Sequence, residues 1–424
     1  MLNTFFTKLR LVWEDRNLRL RLLFVILILG LFRLGATVVI PGVDPVALQK
    51  FFSGNQFLGL LNVFSGGGLS NLSIMMLGVG PFITASIIIQ LLTMIFPRLK
   101  ELYHEEGEAG RRKIAQYSRL LTVPLALLQG FGLLVVLSRQ GIFLNFSAFN
   151  MLVAVVVVTA GSVLLMWLGE LLSEYGVGNG ISLLIFAGII SRLPRDLAQI
   201  AISFDPSQIP TIIAFIVAAV VIVAGVVVVT EAERPIPVTY AKQVRGMKMY
   251  GGASTYLPIR VNNAGVMPII FALSILLFPQ MIANFLSGST NATLAAIGGT
   301  VLATLANAWV YGLSYFFLVV IFTYFYSAVT FDPEAISTNL QKSGAFIPGV
   351  RPGPSTATFI GKVLTRLTLI GALFLGVVAM LPIIMQNITG ISTLAIGGTS
   401  LLIVVSVALD FVKQLDSQLS LREY

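Results

Sequence analysis

Ten stretches of about 20 mostly apolar residues, the length a helix needs to cross a hydrocarbon core, divide this chain of 424 residues from end to end. They fall at 22–40, 74–96, 116–137, 150–172, 181–204, 209–230, 264–285, 301–330, 363–385 and 393–411. Arg192, Pro194, Arg195 and Asp196 interrupt the fifth, which predicts a short or tilted helix there. With 56% hydrophobic and 11% charged residues, a soluble fold would lack a polar surface. The pattern therefore predicts an all-α, polytopic membrane protein. The first stretch follows a basic segment, as the core of a signal peptide does, but runs on without a small-residue cleavage site, so it is read as a retained span.

Charge orients these spans. Lys and Arg number five before the first span, six between the second and third (counting Arg119 at the mouth of the third), five between the sixth and seventh, four between the eighth and ninth (counting Arg366 at the mouth of the ninth), and two after the tenth, or 22 of the 27 in the chain. The positive-inside rule then places both termini and the basic loops in the cytoplasm. Ten spans split into five and five, and an odd number per half turns the second half upside down relative to the first, an arrangement that puts a working site between the halves near the midplane. Within residues 1–21, Leu2, Phe5, Phe6, Leu9, Val12 and Trp13 recur at helical spacing among basic residues, which predicts a helix lying on the membrane surface.

The chemistry that is missing narrows the function. An ion-coupled transporter carries an acid or a histidine at depth. Here Glu170, Glu231 and Asp410 fall at span ends, Asp196 sits in the break of the fifth span, and the one histidine, His104, lies in a loop. The absence of cysteine removes thiolate chemistry and Cys-ligated zinc, so no metal or cofactor is expected. No HExxH or GxxxxGK[ST] motif occurs, which argues against an enzyme.

Two features remain. Residues 62–72 are apolar, glycine-rich and too short to cross: Asn62, Phe64, Gly66, Gly67, Gly68, Leu69 and Leu72 all lie there. The segment is either a re-entrant element, which requires a cavity or surrounding protein to satisfy its backbone, or a flexible external loop. After it, Gly80-Pro81 marks a helix start, since proline fixes φ and lacks the donor a first turn does not use. Ile83 and Ile87 stack four apart on one face, and Ile181 and Ile185 repeat that spacing in the fifth span. Spacing alone leaves them lipid-facing, packed or lining a pore.

Taken in order, the motifs resemble those of the SecY family, the channel-forming subunits of the bacterial protein translocon, over essentially the whole chain. They are Phe32-Arg33-Leu-Gly with Ile40-Pro-Gly-Val-Asp44; Phe64-Ser-Gly-Gly leading to Gly80-Pro-Phe-Ile-Thr-Ala-Ser-Ile-Ile-Ile-Gln90; and Gly107-Glu-Ala-Gly-Arg-Arg-Lys-Ile114. Further on come Trp167-Leu-Gly-Glu170 with Gly178-Asn-Gly-Ile-Ser182, Tyr240-Ala-Lys242, Asn263-Ala-Gly-Val-Met-Pro268, Lys342-Ser-Gly-Ala-Phe-Ile-Pro-Gly-Val-Arg-Pro-Gly353 and Gly397-Gly-Thr-Ser-Leu-Leu-Ile403.

The resemblance implies two inverted five-helix halves, 22–204 and 209–411, around an hourglass pore for unfolded polypeptide, with a cytoplasmic tail at 412–424. It implies a plug at 62–72 and a ring of Ile83, Ile87, Ile181, Ile185, Ile270 and Ile403 at the narrow point. A collar of side chains that offer no hydrogen bonds closes on a chain of any sequence and dewets when empty. The second and seventh spans would form a lateral gate to lipid, where Gln90 and Thr93 are polar groups suited to weak contacts across the closed gate, or to plain interhelical packing. The basic loops 231–262 and 331–362 would receive a ribosome or the SecA ATPase through Arg234, Lys242, Arg245, Lys248 and Arg351. Further implied partners are SecE-like and SecG-like small subunits, signal sequences and nascent polypeptides, membrane lipid, and beyond these SecD/SecF and a YidC-like insertase. One departure stands out: after Arg234 the family usually has another basic residue, whereas this chain has Pro235-Ile-Pro237, which bears on what the tip of that loop contributes to ribosome binding. The alternatives are a multispan solute transporter, which would need a polar midplane site, and a structural scaffold, which would need neither plug nor ring.

Overall fold

The computed structural model describes residues 14–420 apart from 45–46, 49–61, 63–64, 66, 70, 105–106, 144–146, 193, 195–197, 199–208, 241–242, 246–247, 251–253, 288–290 and 390–391. The surface helix expected before residue 14 and the second part of the fifth span lie outside the described residues.

Helix starts follow the capping chemistry of the sequence. Helix α1 (Arg16–Gly35) begins at Asp15, whose carboxylate accepts from the amides of Asn17 at 2.8 Å and Leu18 at 3.4 Å. It stops short of the expected span end at residue 40. Val39 instead forms a bridge with Ser73, and the amides of Ile40 and Ile74 donate to Leu72 O and Val38 O. Apolar composition does not separate such a crossing from a helix, because backbone partners elsewhere in the protein take the place of the helix's own. For the same reason residues 74–79 are turns, and helix α2 (Gly80–Ile95) starts at Gly80 with Pro81 in its first turn.

Helices α3 (Pro97–His104), α4 (Gly107–Arg139), α5 (Ala148–Tyr175) and α6 (Gly180–Ile190) complete the N-terminal part. Helix α6 covers the first 10 residues of the predicted fifth span, 181–190, and is capped by Asn179 on the amides of Ile181 and Ser182. Helix α7 (Ile209–Glu231) opens the C-terminal part, followed by α8 (Met267–Ser287), α9 (Ala292–Ala306), α10 (Ala308–Thr330), α11 (Pro333–Lys342), α12 (Pro354–Thr389) and α13 (Ser392–Ser420). The single span predicted at 301–330 is thus two helices. Asn307 ends α9 and caps α10 by accepting from Trp309 N at 3.0 Å. Five helices among the described residues, α4, α5, α8, α10 and α12, contain stretches long and apolar enough to cross a membrane, and shorter apolar stretches lie in α2, α6, α7 and α9.

The chain is mostly helical but not purely so. Between α7 and α8, β1 (Glu233–Tyr240) pairs antiparallel with β4 (Ser254–Arg260), and β2 (Gln243–Arg245) pairs with β3 (Lys248–Tyr250) beyond them. A short β5 (Ala345–Phe346) joins β1 at Thr239 and Tyr240. Pro235 and Pro237 therefore stand in the stem of a hairpin, not at its tip. Val261 N donates to Ala232 O, so the even-numbered residues of β1 exchange hydrogen bonds with β4. The two prolines face the other edge, where β5 reaches only residues 239 and 240, and their missing donors cost no ladder bond. Ile236 and Val238 alternate inward onto Ile347, Ile360 and Leu364, which roots the hairpin on α12.

The transmembrane helices pack in two groups joined by few contacts. Helix α2 lies against α4 and α5, while α12 packs on α10, α11 and α13. The groups meet where α8 touches α2 and α4 and where α13 touches α6.

Candidate functional site

Ile83 and Ile87 from α2, Ile185 from α6, Ile270 from α8 and Ile403 from α13 are all buried in one apolar cluster, with exposures of 1–5%. Four helices, far apart in sequence, thus bring their branched side chains together. Ile181 packs against the same cluster but is only partly buried. Its Cγ1 would lie 3.0 Å from a β-carbon at Gly169, so this side chain leans on α5.

The described residues of the expected plug belong elsewhere. Leu69 and Leu72 are fully buried in a second cluster, with Met76 and Leu77 from the following turns, Leu133, Leu134 and Leu137 from α4, and Val155 and Val158 from α5. Asn62 is buried and accepts through its backbone carbonyl from Ser65 Oγ at 3.1 Å and from Gly67 N at 2.9 Å; Ser65 Oγ accepts from Leu69 N at 2.9 Å. Local side-chain and backbone bonds thus fold this short segment into turns. A β-carbon at Gly67 would sit 3.5 Å from Arg192 Cδ and 3.8 Å from Arg33 Nη1, so arginines from the ends of α6 and α1 flank the segment. Gly68 is packed against Ser73 and Met75. Phe64 and Gly66 lie outside the described residues.

The residues after this segment are held in place by α5. Ser162 Oγ donates to Gly78 O at 3.1 Å, and a β-carbon at Gly161 would run into Ile74 O. The stem at 73–79 is thereby pressed onto the middle of α5, and a pair of small residues, Gly161-Ser162, in a helix otherwise rich in valine was the available signal. Gly161→Val should dislodge the stem. The expected result is a loss of thermal stability of about 2–3 kcal/mol together with a raised resting ion leak, checked by unfolding in detergent and by halide flux in proteoliposomes.

At the expected gate, α2 touches α8, but Gln90 and Thr93 do not hydrogen-bond across it. Thr93 Oγ1 donates to Gln90 O within α2 at 2.7 Å, and Gln90 Oε1 is buried without a partner. Threonine satisfies itself on the preceding turn whenever that carbonyl is in reach. Side-chain packing therefore holds α2 to α8 among the described residues, whereas Phe271 ties α8 to α10 through edge-on contacts with Phe322 and Tyr326 at 6.1 and 5.9 Å.

On the side expected to be cytoplasmic, Arg234 is exposed in β1, and the backbones of Arg245 and Lys248 pair with each other at the far end of the hairpin. Lys242 lies outside the described residues. Arg351 is exposed between Gly349 and Gly353, both at positive φ (82° and 99°), and its carbonyl accepts from Thr356 Oγ1 at 2.9 Å. Two of the three span-end acids are paired: Glu170 with Arg119 at 2.6 Å, and Glu231 with Lys413 at 2.9 Å. Among the described residues no cluster of His, Asp or Glu is able to hold a metal.

The SecY family model matches residues 73–412, which take in the residues that α2, α6, α8 and α13 give to the isoleucine cluster and that α4 and α5 give to the cluster around Leu69 and Leu72. The chain belongs to the SecY family. It is 42% identical to the protein translocase subunit SecY of Mycobacterium bovis, over 100% of this chain and 99% of that one. Its fold is that of solved channels of this family. A SecY structure described by the role of its plug domain in stabilising the closed state superimposes with a TM-score of 0.62 at 18% identity, covering 93% of this chain and 91% of that one. Sec61 from a canine ribosome–channel complex gives 0.57 at 17% identity, with the same coverage. This SecY-family chain is accordingly a multi-pass membrane protein.

Proposed function

We propose that the chain is the pore subunit of a protein-conducting channel, through which unfolded polypeptide crosses the bacterial plasma membrane and from which signal sequences and membrane spans leave sideways into lipid. The convergence of Ile83, Ile87, Ile185, Ile270 and Ile403 from four helices in one buried cluster carries this reading. Such a collar seals by excluding water and fits itself to any chain that parts it. The ten spans lie in two inverted halves with both termini cytoplasmic. The packed residues around Leu69 and Leu72 are the plug that closes the outer side of the collar.

The gate is the α2–α8 contact. Held by packing among the described residues, it parts without breaking hydrogen bonds between them, and a passing segment of ~20 apolar residues gains several kcal/mol on entering lipid while a polar one gains nothing. The chain acts as a conduit and not as an enzyme, so a SecA-type ATPase or a translating ribosome supplies the work. Arg234, Lys242, Arg245, Lys248 and Arg351 present the docking charge, and SecE-like and SecG-like subunits complete the complex, with SecD/SecF and a YidC-like insertase working beside it. The hairpin stem containing Pro235 and Pro237 serves as a spacer that carries the pair Arg245–Lys248 outward.

A photoreactive residue placed in turn at 83, 185, 270 and 403 in a channel holding a stalled secretory chain should crosslink to that chain. Absence of adducts from all four positions would defeat the pore assignment.

A further inference from the structure

Three of the four helices that carry the isoleucine cluster reach a common point at the foot of the β1–β4 hairpin. On α13, Ile403, Val407, Asp410 and Gln414 fall within about 60° of one another around the helix axis and extend over about 16 Å. The face that carries Ile403 into the cluster thus continues to a polar end. There Gln414 Oε1 would lie 3.1 Å from a β-carbon at Gly178, in the turn that leads into α6, three residues before Ile181. Asp410 Oδ2 would lie 4.0 Å from a β-carbon at Gly265, in the turn that leads into α8, five residues before Ile270. Lys413 Nζ pairs at 2.9 Å with Glu231, the last residue of α7 and two positions before β1. Asn262 Nδ2 donates to Gly265 O at 3.3 Å, which closes the turn between β4 and α8 against this point.

We propose that Asp410, Lys413 and Gln414 form a junction that transmits displacement of the docked hairpin to the collar. The hairpin is rooted at its two ends, Glu231 and residue 261: Glu231 pairs with Lys413, and Asp410 approaches Gly265, four residues beyond residue 261. A partner that pulls or tilts the hairpin therefore loads α13 and the start of α8 directly, and reaches α6 through Gln414. The Lys413–Glu231 pair is half-exposed (26% and 47%) and worth little to stability on its own. Its value lies in fixing the direction of coupling. These are positioning residues, and the inference rests on the docking role proposed above for the hairpin.

The test uses the channel complex in proteoliposomes, with motor docking, motor-driven translocation of a preprotein and resting halide leak measured on the same vesicles. Lys413→Glu should leave docking within about twofold while slowing translocation about tenfold, and the swap Glu231→Lys with Lys413→Glu should restore most of that rate. If Lys413→Glu fails to accumulate in the membrane, Lys413→Gln and Gln414→Ala take its place, each expected to slow translocation with docking unchanged. Normal translocation in the single variants, equal loss of docking and translocation, or no recovery in the swap would overturn the junction. Arg245→Glu separates the two ideas: undiminished docking there removes the docking role of the hairpin whatever the swap does.

Discussion

Asparagine at both Ile87 and Ile270 is expected to raise the ion leak of the resting channel by about tenfold or more, while the protein remains folded and inserted. Both side chains are 1% exposed, and that burial has two physical meanings. In a static core each new amide would be left without partners, at about 1–3 kcal/mol each, on top of lost packing of about 2–5 kcal/mol per site. A loss of that size approaches the whole stability of an ordinary domain, so the variant would fail to accumulate. In a collar between two wet funnels, the amides reach water as soon as the side chains loosen. The price is then paid in sealing, not in folding.

The paired measurement is halide flux in proteoliposomes and thermal unfolding in detergent. A large flux with a small shift in unfolding temperature supports the collar. Severe destabilisation, or a tight seal in a stable protein, rejects it. Ile181→Asn should do less than either change, since that side chain is partly exposed and leans on Gly169.

What the sequence revealed of this arrangement depended on how local the physics was. Pro81 announced its helix start because a fixed φ and a missing donor act within one turn. Asn179, Asn291 and Asn307 cap helices for equally local reasons, yet the break at Asn307 was lost inside an apolar run that hydropathy averages over. Residues 36–40 and 74–79 read as parts of spans because turns held by neighbouring backbone have the same apolar composition as helices. Helical spacing put Ile83 and Ile87 on one face, but could not say that the plug leucines belong to a different cluster, since this depends on contacts with α4 and α5. The hairpin was hidden for a different reason: two prolines argue against a strand until the ladder shows that both lack donors only on the edge that needs none. Of the two roles open to Thr93, a bond across the gate or plain packing, the first is not taken up, because its hydroxyl finds the nearer carbonyl of Gln90.

Arg351→Glu is expected to reduce motor-driven translocation by about tenfold or more, with the membrane level of the complex unchanged. The loop gives the residue a fixed platform. Gly349 and Gly353 take φ values of +82° and +99° that other residues adopt only with strain. Val350 N donates to Ile347 O at 3.1 Å and Thr356 N to Gly353 O at 2.9 Å, and Ser337 Oγ anchors the far side through Gly353 O at 2.7 Å. The backbone is therefore set without help from the guanidinium, which projects into solvent, and exchanging it leaves folding within the range of ordinary surface changes, about 0.5 kcal/mol. A docked carboxylate or RNA phosphate would lose a bidentate, charge-assisted contact and meet a like charge in its place. Arg351→Lys keeps the charge but not the fork, so it should retain part of the activity. The salt response provides the internal control: raising ionic strength should weaken docking of the parent more steeply than docking of Arg351→Glu, because only the parent has an attraction to screen. Equal salt slopes, or unchanged translocation by the glutamate variant, would remove Arg351 from the docking surface.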